Sequence, residues 1–360
     1  MQFIKPNSNI NFIGKKKMAF ALSLTMIIAT FILLIYRGGP NYGVDFSGGV
    51  LAQVKLAQEH SPKEIKEALV PVDLGDSIIQ EFGEKGKFEY LIRIRDTGVE
   101  LSGLSTKIEK ALTDKFGHSV DMRRVEMVGP KVGEDLRQKA LFAIFYAMLF
   151  IAIYISGRFE LKWLMSIVMA LSLAFVVYIT SSIGMSVTWL IFIALIVTVG
   201  LCFVLRLKFA LGALIALMHD VIITIGVFAL TDREISLSII AAFLTIVGYS
   251  LNDTIIVFDR IRENSKRFRK RPFPELMNTS INETLSRTIL TSITTLVVII
   301  FLYVFGGGVI HDFAFAMMIG VVVGTYSSIF VASPILLLWE GRFEKSGKQE
   351  KDLLSRILPV

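Results

Sequence analysis

The stretch that decides the fold is Met18–Tyr36, MAFALSLTMIIATFILLIY, nineteen residues without a charge. As a helix rising 1.5 Å per residue it is about 28 Å long, which matches a hydrocarbon layer of about 30 Å. Lys15, Lys16 and Lys17 stand immediately before it. A secretory signal peptide has the same basic start, but this apolar stretch is longer than a signal core and no small-x-small cleavage site follows. It reads as an uncleaved anchor. Seven further apolar blocks follow, at 138–156, 161–181, 187–205, 209–230, 236–257, 286–305 and 313–338. Eight crossings are therefore expected. The blocks at 161–181 and 187–205 also fit a re-entrant hairpin, which keeps the same parity.

The bulk composition points the same way. Hydrophobic residues make up 53% of the 360 and charged residues 19%, too little polar surface for a soluble domain of this length. The net charge is +7. Its positive residues cluster beside the apolar blocks, so they report orientation and not a nucleic-acid partner. They precede the first block, occupy Arg158–Lys162 and Arg206–Lys208, and fill one loop with Arg260, Arg262, Lys266, Arg267, Arg269, Lys270 and Arg271. The alternate turns are poor in them: Ser181–Ser186 and Gly306–Asp312 have none, and Thr231–Ile235 has only Arg233. This predicts a multi-pass protein with both termini cytoplasmic: an N-terminus 1–17, a basic cytoplasmic loop 259–285 and a C-terminal tail 343–360. Cys202 is the lone cysteine, so no intramolecular disulfide forms.

Residues 37–137 read as a small periplasmic domain. Val50–Leu56, Ser77–Phe82, Phe88–Ile94 and Val120–Met127 suit strands. Pro62 opens a helix that Ser61 caps, with Glu64 completing a capping box. Leu101–Phe116 has helical period, with Ser102 as its cap and Gly117 as its stop. The order β-α-β-β-α-β predicts an α+β ferredoxin-like sandwich. The domain has no cluster of His, Cys or paired carboxylates, so it reads as a binding or coupling module.

Charges inside spans are costly and carry function by default. Asp220 lies roughly 18 Å beyond the boundary marked by Lys208, near the bilayer midplane. The functional reading is a carboxylate that binds and releases a proton; the alternative is a structural hydrogen bond between helices. Its neighbour His219 points to another face of the helix, which weakens the case for a direct role. The next long span carries Asn252 and Asp253, then Asp259, Arg260, Arg262 and Glu263. Asp253 and Arg260 share a face, and Asp259 and Arg262 stand at pairing distance. Thr284, Thr288, Thr291 and Thr295 form a hydroxyl stripe beside Ser292, which either conducts water to a buried carboxylate or bonds neighbouring helices. Gly320, Gly324 and Ser328 give a small-residue face for close packing, and Pro334 is placed to kink the last span. No ATP-binding loop, redox centre, hydrolase site or metal cluster is recognisable, so neither an enzyme nor a cofactor is expected, and energy must come from an ion gradient or a partner.

Six stretches in order carry a family resemblance covering about residues 10 to 342. They are Gly43–Gly49 with Asp45, Phe46, Gly48 and Gly49; Val128–Gly133; Ala216–Val221; Gly248–Asp253 continuing to Asp259–Asn264; Thr284–Thr288 with Thr291 and Ser292; and Gly324–Ser328. Together they resemble the SecD/SecF family of bacterial protein-translocation subunits, on the SecF side, distant relatives of the resistance-nodulation-division (RND) exporters. The resemblance implies an RND-like helix bundle in the inner membrane that pairs with SecD, associates with the SecYEG channel and YajC, and handles a translocating polypeptide among membrane lipid. It also implies a proton path through Asp220, Asp253, Asp259 and Arg260 that drives movement of the outer domain. Family members usually have six spans, so residues 157–207 read as an inserted hairpin. Two other readings stay open: a stand-alone RND-type proton-coupled exporter of lipids or small molecules, and a scaffold for the channel with no proton role.

Overall fold

The computed structural model describes residues 9–82, 86–94, 103–160 and 163–340. The expected cap Ser102, Lys162 of the basic turn and the tail 343–360 lie outside them. The first span is helix α1 (Lys16–Arg37), stopped by Gly38, whose φ of +76° is left-handed and natural only to glycine. A one-turn helix α2 (Val44–Ser47) then leads into strand β1 (Gly49–Lys55).

Helix α3 (Pro62–Leu69) starts as read: the Ser61 hydroxyl accepts from the Glu64 N–H and the Glu64 carboxylate accepts from the Ser61 N–H. Strands β2 (Ile78–Phe82) and β3 (Glu89–Ile94), helix α4 (Leu104–Phe116) and strand β4 (Asp121–Val128) complete the domain. Gly103, in the left-handed region, occupies the position before α4. The sheet order is β2-β3-β1-β4 with antiparallel pairs throughout, which is the ferredoxin-like arrangement. Alternation along β1 turns Val50, Ala52 and Val54 toward Ile65, Leu69, Ile108 and Leu112 of the two helices. The intervening Leu51 and Gln53 face the other way.

The remaining spans are α5 (Pro130–Glu160), α6 (Trp163–Ser182), α7 (Val187–Val204), α8 (Lys208–Leu230), α9 (Leu237–Arg267), α10 (Phe273–Phe305) and α11 (Gly308–Ser327). Among the described residues eight helices are long and apolar enough to cross a membrane. Several overrun the apolar blocks: α5 begins at Pro130 and not at 138, and α10 at Phe273 and not at 286. Hydropathy marks where lipid begins, whereas a helix continues as long as its backbone bonds do. Past α11 the chain passes through a π segment, Ser328–Ala332, before helix resumes at 333. Pro334 has no N–H to give to the Phe330 carbonyl, and within the same segment the Ser333 hydroxyl donates to the Ser328 carbonyl at 2.9 Å.

The Gly43–Gly49 motif joins domain to bundle. The Gly43 N–H donates to the Ile235 carbonyl at 2.9 Å, and Asp45 Oδ2 accepts from the Leu237 N–H at 2.8 Å, capping the first turn of α9. Phe46 is buried among Ala140, Phe228, Ile235 and Ile239. Gly48 has a φ of +74°, and a Cβ there would stand 2.9 Å from Pro130 Cα. Nearby, Arg137 lies over the Tyr42 ring at 5.6 Å; burial raises the Tyr42 hydroxyl above the ordinary phenol range, against the pull of that charge. The polar face of the sheet overhangs this end of the bundle across a cavity of about 460 Å³, bridged by an Arg93–Glu234 ion pair.

Candidate functional site

Asp220 sits near the middle of α8 and is fully buried. Its Oδ2 accepts from the Ser250 hydroxyl of α9 at 2.6 Å and from the Ser327 hydroxyl of α11 at 2.8 Å. Oδ1 lies 2.9 Å from His219 Nδ1. The other ring nitrogen of His219 is 3.1 Å from the Ser23 hydroxyl on α1. Ser23 in turn lies 3.1 Å from the Tyr326 hydroxyl, which donates to the Ala19 carbonyl at 2.8 Å. One chain of polar atoms thus ties α1, α8, α9 and α11 around a carboxylate. Each member needs the others, because an unpartnered polar group in this setting costs several kcal/mol or so.

His219 corrects the reading of its helix face. Successive residues point about 100° apart on a helix, yet the imidazole bends back onto the carboxylate next to it. The glycine stripe of α11 also does more than pack. A Cβ on Gly324 would stand 2.9 Å from the Ser250 Cβ, and one on Gly320 would stand 2.3 Å from Ile246 Cγ1. Their absence lets α11 lie on α9, so that Ser250 and Ser327 reach the same carboxylate oxygen.

Asp253, one helix over, is also buried but held differently. Its one hydrogen bond among the described residues comes from the Ser292 hydroxyl at 3.4 Å. That single proton is contested by the Thr288 carbonyl at 2.9 Å and by Thr325 Oγ1 at 2.7 Å. Thr325 spends its own proton on the Val321 carbonyl. Arg287 supplies a positive charge that acts on Asp253. The Thr288 hydroxyl beside this group is buried without a partner. Thr284 and Thr291 donate back to carbonyls of their own helix, so the hydroxyl stripe is divided, and Ser292 beside it is the hydroxyl that reaches Asp253. Asn252 is exposed and takes no part in this group.

Nearer the basic end the charges form a separate layer. Asp259 accepts from Arg158 of α5 at 2.8 Å and does not pair with Arg262, which donates to the Arg158 carbonyl at 3.1 Å. Tertiary approach of α5 takes the place of the pairing within α9, with Arg158 Nη2 donating to Asp259 Oδ2. Arg260 pairs with Glu263 at 3.0 Å and Glu283 at 3.6 Å and does not contact Asp253. Sequence reasoning missed Ser23, Ser250, Ser327, Tyr326 and Arg158 as members of these groups. Ser250, Ser327 and Tyr326 lie inside stretches already singled out, but serine carries no signal of its own when its partner is on another helix. Among the described residues no three His, Cys, Asp or Glu side chains converge to hold a metal.

The family model for the C-terminal part of the SecD/SecF protein export membrane proteins matches residues 107–200 and again 181–342. The two matches overlap within the α6–α7 hairpin, where an insertion was expected. The protein translocase subunit SecF of Magnetococcus marinus is 41% identical over 344 residues, covering 94% of this chain and 95% of the relative. That of Desulfurispirillum indicum is 41% identical over 340 residues, covering 93% of each. Among solved structures, SecDF of Thermus thermophilus, a translocon-associated membrane protein, matches at a TM-score of 0.73 and 30% identity over 93% of this chain and 39% of its own. SecDF in its super-membrane-facing form matches at 0.60 and 28%, over 97% of this chain and 41% of its own. The chain therefore spans about two fifths of the solved SecDF chains. Likeness of this length, laid over the bundle and sheet domain just described, shows that the chain belongs to the SecD/SecF family of protein-export membrane proteins, on its SecF branch.

Proposed function

We propose that the chain is a non-catalytic accessory subunit of the bacterial Sec export machinery. It pairs with SecD, associates with the SecYEG channel and YajC, and uses the proton gradient to promote passage of secreted polypeptides. It sits in the inner membrane with both termini cytoplasmic and the sheet domain in the periplasm, the orientation its Lys and Arg distribution favours. Pairing with SecD is supported by coverage, since the solved SecDF chains are more than twice as long as the part this chain matches.

The observation that carries the reading is the buried Asp220 with its shell of hydroxyls and an imidazole from four helices. A carboxylate at that depth exchanges a proton more cheaply than it carries a permanent charge. Gain or loss of the proton changes what Ser250 and Ser327 bond to, and so how α8, α9 and α11 sit together. Asp253 lies on α9, whose first turn is capped by Asp45 of the domain joint. Movement of α9 therefore has a rigid route to the sheet domain. Asp259 and Arg260 act in the ion-pair layer at the cytoplasmic mouth of this path.

The test is export driven by an imposed proton gradient in vesicles carrying Asp220→Asn. Loss of the stimulation supports the reading, and unchanged export sinks the proton role of that residue. Recovery of a stable chain without a SecD-like partner would favour the stand-alone exporter.

A further inference from the structure

A second concavity opens at the basic end of the bundle, away from the sheet domain, with a volume of about 1110 Å³. Four cations line it, Arg206, Lys208, Arg269 and Arg271, against two carboxylates, Glu160 and Glu340. Both carboxylates are engaged: Glu340 accepts from the Lys208 ammonium at 2.9 Å, and Glu160 accepts from the Phe209 N–H at 3.1 Å. With Lys208 and Glu340 paired, three arginines stand against the one remaining carboxylate, Glu160, so the lining keeps a positive surplus. Arg271 lies over the Phe268 ring at 4.5 Å.

The rest of the wall is aromatic, and it leads toward lipid. Trp339 meets Phe203 edge-on at 4.9 Å, and Phe203, Val204 and Leu338 are exposed on the flank of the bundle. A cavity with cations at its mouth, aromatics at headgroup depth and an apolar exit along the helices has the form of a headgroup pocket. Arg206 adds an independent sign. Its φ is +56°, a left-handed backbone that glycine adopts freely and arginine does not. Plain positive-inside anchoring needs positive charge somewhere at this end; it needs neither a cavity nor an arginine held in a strained turn.

We infer that this cavity binds the phosphodiester headgroup of an anionic phospholipid, with its acyl chains on the Phe203–Leu338 flank. The α7–α8 turn, at the end of the extra hairpin, supplies Arg206. The inference rests on the chain spanning a membrane and is independent of the proton reading.

The test measures binding of phosphatidylglycerol to the purified full-length chain in neutral detergent. Phosphatidylcholine serves as the uncharged comparison and inorganic phosphate as competitor. The triple variant Arg206→Gly, Arg269→Gln, Arg271→Gln should bind phosphatidylglycerol on the order of a hundredfold more weakly. A matched triple, Lys266→Gln, Arg267→Gln, Lys270→Gln, removes as much charge from the same loop outside the cavity and should change binding by about twofold or less. Glycine suits the backbone at 206 and the other positions are exposed, so melting without lipid should be unaffected in both. Equal loss in the two triples, or equal binding of phosphatidylcholine, would overturn the inference. Displacement of the lipid by equimolar inorganic phosphate would reassign the cavity to a soluble anion.

Discussion

Two buried aspartates in adjacent helices are treated in opposite ways. Asp220 is held by Ser250, Ser327 and His219, and the histidine is itself anchored to Ser23. Asp253 has one long bond, from a hydroxyl that two other acceptors also want, and an unpartnered Thr288 hydroxyl close by. The first is a structural node. The second is cheap to move and expensive to leave charged. In the proposed mechanism this contrast would divide the labour, with Asp253 exchanging protons with the polar stripe of α10 and Asp220 coupling a proton to helix packing.

Substitutions should expose that difference. The largest effect is expected from Asp220→Asn, which should reduce gradient-driven export to the level seen without the chain. It should also destabilise the bundle by about 1–3 kcal/mol, because the amide keeps both serine donors only on its Oδ1 and then turns its NH2 to the imidazole, which must accept at Nδ1. Thermal unfolding in detergent reads the second effect. Asp253→Asn should impair export as well, yet leave stability unchanged within about 0.5 kcal/mol or raise it, since no committed bond is lost. Equal stability losses in the two variants would erase the distinction.

Gly324→Ala sharpens the comparison from the packing side. The added methyl collides with Ser250 and should cost about 1–3 kcal/mol. It should cripple export by pushing Ser250 off Asp220 while leaving Asp253 untouched. The smallest effect is expected far from both aspartates, in the capping box of α3. The Ser61 N–H and hydroxyl hold the Glu64 carboxyl below the usual range. A group with a depressed folded value contributes stability that is present above its unfolded value, about 4.3, and is lost as pH falls through the folded one. Hydrogen exchange of the first turn of α3 should therefore quicken only below about pH 4. Ser61→Ala should cost about 1 kcal/mol there and leave export alone.

The α6–α7 hairpin is peripheral, as are α1 and α10, whose apolar stretches are each 17% buried. Two thirds of the most apolar window of α8 is buried, 67%, against 22% in α6 and 28% in α7. The hairpin lies on the outside of α5 and α8 and contributes none of the bonds around Asp220 or Asp253 named above. A hairpin crosses twice, so it leaves unchanged the sidedness of every span after it.

Much of this was legible in the chain itself. Eight apolar blocks, the capping box at Ser61 and Glu64, the β-α-β-β-α-β order and the depth of Asp220 are local properties, set by hydropathy, helix rise and turn chemistry within a few residues. The partners of Asp220 are not local. Ser250 and Ser327 are separated from it by 30 and 107 residues, and which hydroxyl reaches the carboxylate depends on how closely α11 packs on α9. The same holds for Asp259, for which a neighbour on its own helix was the local expectation and Arg158 of α5 is the partner. Sequence by itself determined what must cross the membrane and which charges are too costly to be idle. Only the tertiary structure decided what those charges bond to, because hydrogen-bond partners in lipid are chosen by the approach of whole helices and not by spacing along one of them.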